Sequence, residues 1–239
     1  MVSTLLALAL TLPATAAAND LTVDQILSRA VEARGGAARL KELRSIRTQG
    51  DFLVQDVKQP FVLYRQRPDH LRSEIQTRKG AVVRVFADGK GWEVNPTQGS
   101  TAPRVLSDAE AAGLRRQADF DGPLLDAKAK GHQWRLVGRE KLGDKDAYHL
   151  EVKLASGDSE SWWVDAGDFH VVKSVQKQTV AGQLTDLVTE YSDFRDVSGV
   201  KLPFRIDTEQ VALGRKTTLL VQSIAVDAEM SGDLFRMPG

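Results

Sequence analysis

The chain has 239 residues, enough for one domain with a substantial hydrophobic core. There are 32 basic residues (Lys and Arg) and 32 acidic residues (Asp and Glu), so the formal net charge is zero. A neutral chain disfavours nucleic-acid recognition and electrostatic docking on an anionic membrane. The chain has no cysteine, which excludes disulfides, thiol catalysis, thiolate metal sites and a lipid anchor on an N-terminal cysteine.

The first residues have the pattern of an export leader. Leu5–Leu10 is a short apolar run, and Thr15–Ala18 supplies small residues suited to cleavage, so we predict a signal peptide over residues 1–18 that is removed. The run is too short to span a bilayer. Residues 1–4 lack the positive charge usual in a leader, which leaves a start upstream of Met1 open. The mature chain, residues 19–239, is predicted to be a single periplasmic domain.

The mature chain begins with a predicted amphipathic helix. Thr22 and Gln25 have the spacing of a capping box, in which each side chain satisfies a free backbone N–H of the other residue. The apolar residues that follow recur on one helical face, and Gly35-Gly36 ends the helix. Residues 37–43 could add a second short helical turn.

The pattern then changes to an alternation with period two, which is typical of half-buried strands. Asp88-Gly89 is a strong hairpin signal because both residues tolerate positive φ. The predicted strands form one continuous meander. They are Ser45–Gln55, Pro60–Arg67, His70–Arg78, Val82–Ala87 and Gly91–Asn95.

A polar loop, Pro96–Pro103, interrupts the strands and precedes a helix predicted over Ser107–Gln117, with Glu110 at the capping-box position. A weaker helical segment is predicted over Pro123–Lys130. The total of about twelve strands is large for one layer, so the sheet must curl or partly close. The later strands are Gln133–Arg139, Ala147–Ala155, Ser159–Asp165, His170–Val180, Leu184–Phe194, Lys201–Ala212 and Arg215–Val226.

Residues capable of catalysis do not form a recognisable site in the sequence. The histidines, His70, His132, His149 and His170, lack metal-ligand spacing, and the usual nucleophile and phosphate-binding motifs are missing. The acidic group Asp119, Asp121 and Asp126 is explained by turn and cap chemistry. The sequence therefore predicts no catalytic residue, metal or cofactor.

The aromatic and apolar residues are more informative. Adjacent Trp162 and Trp163 must face opposite sides of the sheet, which predicts an apolar environment on both sides. Phe61–Tyr64 and Val82–Phe86 are likewise apolar on both sides. Two explanations stay open: helices cover the outer face, or the curled sheet encloses an apolar cavity.

Several segments together resemble a known family. They are Ala33–Gly36, Leu43–Gly50, Asp88–Trp92, Trp163–Asp165 and Ser192–Pro203. The chain resembles the periplasmic lipoprotein carrier and outer-membrane lipoprotein-sorting family, in the broad sense that includes its uncharacterised branch. The resemblance implies a mainly β protein with a few helices: a strongly curved antiparallel sheet forming an incomplete β-barrel, covered by helices as a lid. The lid candidates are Val23–Arg34 and Ser107–Gln117.

The resemblance also implies a function, namely that an apolar concavity shelters the acyl chains of a lipid or an acylated protein. An alternative is a periplasmic sensor or scaffold of the same fold that binds an envelope protein partner, and a hydrolase acting on the envelope ranks below both. Residues expected to line the cavity come from the following set, about half of which should face it. They are Phe52, Phe61, Leu63, Leu71, Ile75, Val85, Trp92, Trp134, Trp162, Phe204 and Ile206.

Overall fold

A computed structural model describes residues 21–55, 57–180 and 183–238; the predicted signal peptide lies outside these residues. Three α-helices are α1 (Val23–Arg34), α2 (Ala37–Glu42) and α3 (Asp108–Ala118). The first six strands are β1 (Ser45–Val54), β2 (Val57–Gln66), β3 (His70–Thr77), β4 (Gly80–Ala87), β5 (Lys90–Asn95) and β6 (Ser100–Val105). The others are β7 (Gln133–Leu142), β8 (Lys145–Lys153), β9 (Ser159–Asp165), β10 (Val171–Val180), β11 (Gln183–Val197), β12 (Val200–Gln210) and β13 (Arg215–Val226).

All thirteen strands belong to one antiparallel sheet made of two meanders. β1 to β6 run in order toward one edge, and β13 back to β7 run in order toward the other. The two meanders are joined in the middle by the pairing of β1 with β13. Because β6 and β7 pair with only one neighbour each, the curved sheet is an incomplete β-barrel, as the resemblance implies.

This topology places the middle of the chain across the sheet. β6 lies at one edge and β7 at the opposite edge, so residues 106–132 must pass over one face to connect them. α3 packs on β3 and β4 through Ala111 and Ala118. Phe120 and Leu125 then pack over the centre of the sheet. We call residues 119–131 the bridging segment.

The same face also carries the N-terminal helices. α1 packs through Ile26, Leu27 and Ala30 on β8 and β9, and α2 packs through Leu40 on the central strands. This helix-covered side is the concave face of the curved sheet. Both lid candidates of the sequence are therefore helices on the concave face, with α3 beginning at Asp108 behind its Ser107 cap.

The local signals explain where these elements begin and turn. Thr22 and Gln25 form the predicted capping box, with the Thr22 backbone N–H donating to Gln25 Oε1 at 2.8 Å. Ser107 and Glu110 form the second one. The hairpin at Asp88-Gly89 has φ of 51° and 75°, as predicted.

Two local predictions are wrong. Residues 100–105, assigned mostly to a loop, form the edge strand β6, which pairs only with β5 and is largely exposed, so its sequence does not alternate. Residues 123–130, predicted to be helical, form successive turns, and Asp126 has φ of 55°, outside the right-handed helical region.

The apolar pattern on both sides of the sheet has two separate covers. Phe86 on β4 lies under α3, whereas its neighbour Val85 lies on the outer face beneath the C-terminal segment at Phe235. Trp162 likewise packs under α1, whereas Trp163 stacks on His149 at the outer face with a centroid separation of 4.3 Å. The outer cover at Val85 is therefore a short C-terminal turn, Gly232–Phe235, and not an α-helix.

The central β1–β13 pairing depends on a glycine. A bulge between Gln49 and Gly50 shifts the register, and a Cβ atom at Gly50 would lie 2.0 Å from the carbonyl oxygen of Leu220. Only a residue without a side chain allows the two backbones to approach this closely.

We therefore expect Gly50→Ala to lower the free energy of unfolding by about 2 kcal/mol or more, because the strands must separate locally. Urea denaturation measures the difference. Gly138→Ala is the matched control, since a Cβ at Gly138 has no atom within 4 Å and that position lacks positive φ. Equal stability of Gly50→Ala and the native protein would contradict this account of the bulge.

Candidate functional site on the concave face

The concave face carries four apolar clusters, and three of them include helix residues. α1 supplies Ile26, Leu27 and Ala30 to one, α2 supplies Leu40 to the second, and α3 supplies Ala111 and Ala118 to the third. The fourth cluster is built from strand residues alone, and we call it the central patch. Its members are Phe61, Phe204 and Val221 with Phe52, Leu63, Ile75, Val197, Leu219 and Ile224.

The central patch lies where β1, β2, β12 and β13 meet. Register places Phe52 opposite Leu219 and Gly50 opposite both Phe61 and Val221, so these side chains share the concave face. Phe61, Phe204 and Val221 are buried, but Phe52, Leu63, Ile75 and Leu219 remain half-buried although they point inward. The patch therefore presents apolar surface on the inside of the half-barrel.

The residues predicted to line a cavity divide among the clusters. Five of the eleven lie in the central patch: Phe52, Phe61, Leu63, Ile75 and Phe204. Ile206 points to the same face, because it lies two positions after Phe204 on β12. Leu71 is completely buried under α3, and Trp134 and Trp162 form an edge-to-face pair beside α1 with centroids 5.9 Å apart.

Val85 and Trp92 do not belong to this surface. Both lie on the outer face, where Trp92 Nε1 donates a hydrogen bond to the carbonyl oxygen of Phe235 at 3.1 Å. The sequence pattern could not assign their side, because β4 is apolar at successive positions and either alternating set could face inward.

Four further patch residues were not predicted, and three of them lie on β13. Leu219, Val221 and Ile224 come from the last strand, and Val197 comes from the end of β11. The apolar run Leu219–Val221 was the available signal. Its importance follows from the pairing of the last strand with the first, which places β13 at the centre of the sheet.

Arginines hold the bridging segment against the sheet. Arg67 donates to both carboxylate oxygens of Asp121, at 2.7 and 2.5 Å, and to the carbonyl oxygens of Leu43 and Leu40 at 2.6 and 2.9 Å. Its guanidinium also lies over the Phe120 ring, 4.7 Å from the centroid. The hydrogen bond and charge of Asp121 raise the pKa of Arg67, so this group stays a cation.

Arg65, near the end of β2, makes a second connection two residues before Arg67. Its Nη2 donates to the carbonyl oxygens of Asp119 and Phe120 at 2.9 and 3.0 Å. Burial lowers the pKa of Arg65 to about 10, which leaves it charged at neutral pH. Together Arg65 and Arg67, which we call the arginine anchor, fix the start of the bridging segment.

The acidic group noted in the sequence combines the predicted turn chemistry with ion pairs. The Asp121 backbone N–H donates to Asp119 Oδ1 at 3.3 Å, as in a side-chain-closed turn. In addition, Asp121 pairs with Arg67, Asp119 pairs with Lys130 at 2.9 Å, and Asp126 pairs with Lys41 at 2.8 Å. Burial raises the pKa of the Asp121 carboxyl, but the hydrogen bonds and charge of Arg67 outweigh burial and leave that pKa below its ordinary value.

We expect Arg67→Gln to lower the free energy of unfolding by about 3 kcal/mol, because it leaves the partly buried Asp121 without its bidentate partner. Arg205→Gln is the control: Arg205 makes a similar bidentate pair with Asp207 in a more exposed position, and its loss should cost less than about 1 kcal/mol. Urea denaturation of both variants checks the difference. Equal losses would show that the anchor contributes no more than a surface ion pair.

Glu160 is a buried acid on the concave face. It is 8% exposed and accepts a hydrogen bond from Trp162 Nε1 at 2.9 Å. Burial raises the pKa of the Glu160 carboxyl above its ordinary value of 4.5, and the Trp162 hydrogen bond offsets only part of that shift. The charged form of Glu160 therefore destabilises the folded protein at neutral pH.

We expect Glu160→Gln to increase the free energy of unfolding at pH 7, and we expect this gain to shrink as the pH falls toward 4.5, where the native carboxyl becomes protonated. Denaturation curves over this pH range measure the gain. Glu151→Gln, a change on the exposed side of β8, is the control and should alter stability by less than about 0.5 kcal/mol. A gain that is independent of pH would contradict the assignment to Glu160 ionisation.

The histidines do not converge on the concave face. His149 stacks on Trp163, His70 lies 3.3 Å from Asp88 at a hairpin, and His170 packs against Phe194. Within residues 21–55, 57–180 and 183–238, no three His, Asp or Glu side chains are grouped so that they could hold a metal ion.

Two clefts lie away from the central patch. One, of about 570 Å³, is on the outer face between β4, β5 and the C-terminal segment and is lined by Val83, Trp92, Val94 and Met237 among others. The other, of about 250 Å³, lies between the start of α1 and β7, beside Leu27 and Trp134.

Solved structures with this architecture identify the fold. A LolA superfamily protein from Nitrosomonas europaea superposes with a TM-score of 0.60 at 18% identity, covering 90% of this chain and 98% of that one. The chain has the LolA-like fold. A lipoprotein-sorting domain from Vibrio parahaemolyticus gives a TM-score of 0.60 at 13% identity over 87% of this chain and 95% of that one.

A protein of the DUF1329 family from Desulfovibrio piger gives a TM-score of 0.61 at 14% identity, covering 90% of this chain and 97% of that one. No protein-family profile matches the sequence, and no curated protein is significantly similar to it. At these identities the likeness confirms the fold implied by the resemblance, and it extends over nearly the whole described chain.

Proposed function

We propose that this protein is a periplasmic, non-enzymatic carrier that shelters the acyl chains of a lipid or an acylated protein on its concave face. The observation that supports the proposal is the central patch, an apolar surface on the inside of the half-barrel to which the helices contribute no side chain. The LolA-like fold adds support, because one solved neighbour is assigned to lipoprotein sorting.

The energetics favour an apolar cargo. Each methylene moved from water onto an apolar surface gains about 0.8 kcal/mol, so a chain of ten carbons or more gains enough for stable binding. The half-buried members Phe52, Leu63, Ile75 and Leu219 provide contact area that cargo would cover. Cargo bound there would be removed from water, and the packed core would not have to rearrange.

A carrier must also release its cargo, and α3 with the bridging segment is the proposed lid. α3 is attached by the Arg104–Glu110 ion pair at 2.9 Å near its start, and the bridging segment by the arginine anchor. The fully buried residues of α3 are alanines, and Leu114 packs partly buried beside them, so the apolar contact of α3 with β3 and β4 is modest in area. α3 can therefore move at lower cost than the bridging segment, which buries Phe120 and Leu125.

The proposed location follows from the predicted leader, residues 1–18, and from the fold. In the part of the chain that the structure describes, each helix is too short or too polar to cross a bilayer.

A second candidate function is a sensor or scaffold module that binds a protein partner. The cleft of about 570 Å³ on the outer face favours it, because Trp92 and Met237 would present apolar contacts to a partner segment. This alternative predicts a protein that is empty of lipid after purification.

The deciding experiment is native mass spectrometry, with lipid extraction, on protein purified from the periplasm without detergent. Co-purifying phospholipid or acylated peptide supports the carrier and identifies the class of cargo. An empty protein that also fails to take up the neutral fluorescent reporter N-phenylnaphthylamine overturns the carrier proposal and favours the binding module.

For the site itself, we expect Ile75→Gln to weaken uptake of that reporter by about tenfold, because it replaces apolar contact surface in the central patch with an amide. Leu184→Gln is the control, since Leu184 is 62% exposed and points to the outer face of β11. Fluorescence titration compares the two variants. Equal affinities would remove the central patch from the proposed site.

A further inference from the structure

Arg34 lies at the inner end of α1. Ile26, Ala30 and Arg34 are separated by four residues each, so Arg34 continues the buried face of the helix. The helix end is pressed against the β11–β12 turn, since a Cβ at Gly35 would lie 2.4 Å from the carbonyl oxygen of Gly199. The Arg34 side chain is therefore half-buried beneath the end of the helix and directed toward the concave face.

The surroundings of Arg34 include a second cation with unused hydrogen-bonding capacity. Its electrostatic neighbours are Asp119, Asp121, Tyr191 and Arg65. The Arg65 Nε atom is buried and has no hydrogen-bond partner, whereas Nη2, on the same edge of that guanidinium, holds the bridging segment. Among the described residues, Arg34 itself takes part in no ion pair or hydrogen bond, and burial lowers its pKa.

The charges of this region do not balance. Arg34, Arg65, Arg67 and Lys130 supply four positive charges, whereas Asp119 and Asp121 supply two negative ones that are already paired with Lys130 and Arg67. Glu160 interacts with Tyr191 from the far side, but burial raises its pKa and disfavours its charge. An interior excess of positive charge is costly unless an anion compensates it.

Neutral donors complete the surroundings. The Tyr191 hydroxyl is 3.2 Å from Ser174 Oγ, and burial raises the pKa of Tyr191, which keeps it protonated. Tyr191 is opposite Ile206 in the β11–β12 pair, so it lies on the concave face.

This polar region is continuous with the central patch. Arg65, Leu63 and Phe61 alternate along β2 and therefore point to the same face. From Arg65 to Gln59 the strand extends for about 20 Å, close to the length of an extended acyl chain of about sixteen carbons. A ligand with an anionic head at the arginines could thus lay its chain along the patch.

We propose that the concave face binds single-chain amphiphiles by an anionic head group, a carboxylate or a phosphate, which Arg34 holds beside the positive charge of Arg65 while the acyl chain covers the central patch. This inference rests on the proposed carrier function and specifies the chemistry of its cargo. Guanidinium groups match the planar oxygens of carboxylate and phosphate, and burial strengthens such bonds.

Three ligands with one chain length test the head group. Dodecanoic acid, dodecyl phosphate and dodecanol each displace N-phenylnaphthylamine from the native protein and from Arg34→Gln. At least one anionic ligand should bind to the native protein at least about tenfold more tightly than dodecanol does. In Arg34→Gln the affinities of that ligand and of dodecanol should differ by no more than about threefold, while the affinity for dodecanol is unchanged. Tighter binding of dodecanoic acid would indicate a fatty acid as the natural cargo, and tighter binding of dodecyl phosphate would indicate a phospholipid-type cargo.

Arg29→Gln is the matched control, because it removes a cation from the exposed side of the same helix and should keep the native ratio. Thermal denaturation of Arg34→Gln and Arg29→Gln shows that both variants are folded before ligand is added.

The outcomes separate the two proposals. Equal affinity of both anionic ligands and dodecanol in the native protein, with the reporter still bound, overturns the head-group site and leaves the carrier function in place. Retention of the full ratio in Arg34→Gln likewise overturns it. Failure of the reporter to bind overturns the carrier proposal together with the head-group site.

Discussion

The pairing of the first strand with the last determines the rest of the architecture. When β1 and β13 join at the centre of the sheet, the two strands adjoining the middle of the chain, β6 and β7, lie at opposite edges. The residues between them must then cross the concave face, and α3 and the bridging segment are that crossing. The cover of the half-barrel is thus a consequence of strand order, and the missing side chain of Gly50 allows the close backbone approach that the β1–β13 pairing requires.

The crossing is held by apolar packing and by directional polar bonds. α3 fully buries only alanines, whereas the bridging segment buries Phe120 and Leu125 over the centre of the sheet. The arginine anchor adds directional bonds to Asp121 and to the backbone at Asp119 and Phe120. Polar bonds of this kind can be exchanged for bonds to water when a segment moves, which an equally large apolar contact cannot do. This combination is consistent with a cover that is ordered when closed and still able to open.

The concave face combines two features that would be unfavourable in an ordinary core. The central patch leaves Phe52 and Ile75 half-buried, and the neighbouring region leaves the Arg34 charge uncompensated. Both features are unfavourable in the empty protein, and the proposed amphiphile, with an apolar chain and an anionic head, would relieve both. Binding sites are commonly the places where a protein departs from the rules of stable packing.

Local patterns in the sequence were enough to predict both capping boxes, the Asp88-Gly89 hairpin, most strands and the opposite facing of Trp162 and Trp163. These features depend on neighbouring residues, whose φ preferences and alternation act within a few positions. Five of the residues expected to line a cavity lie together in the central patch, because large apolar residues at alternate positions of a strand share a face.

Strand order, and with it the site, was decided by tertiary structure. Val85 and Trp92 lie on the outer face because the C-terminal segment around Phe235 covers them from more than a hundred residues away. β13 supplies Leu219, Val221 and Ile224 to the patch only because it pairs with β1. Arg34 and Arg65, far apart in the chain, share one interior region for the same reason. Such contacts join residues that are far apart in the sequence, so neither local conformational propensity nor hydrophobic periodicity can predict them.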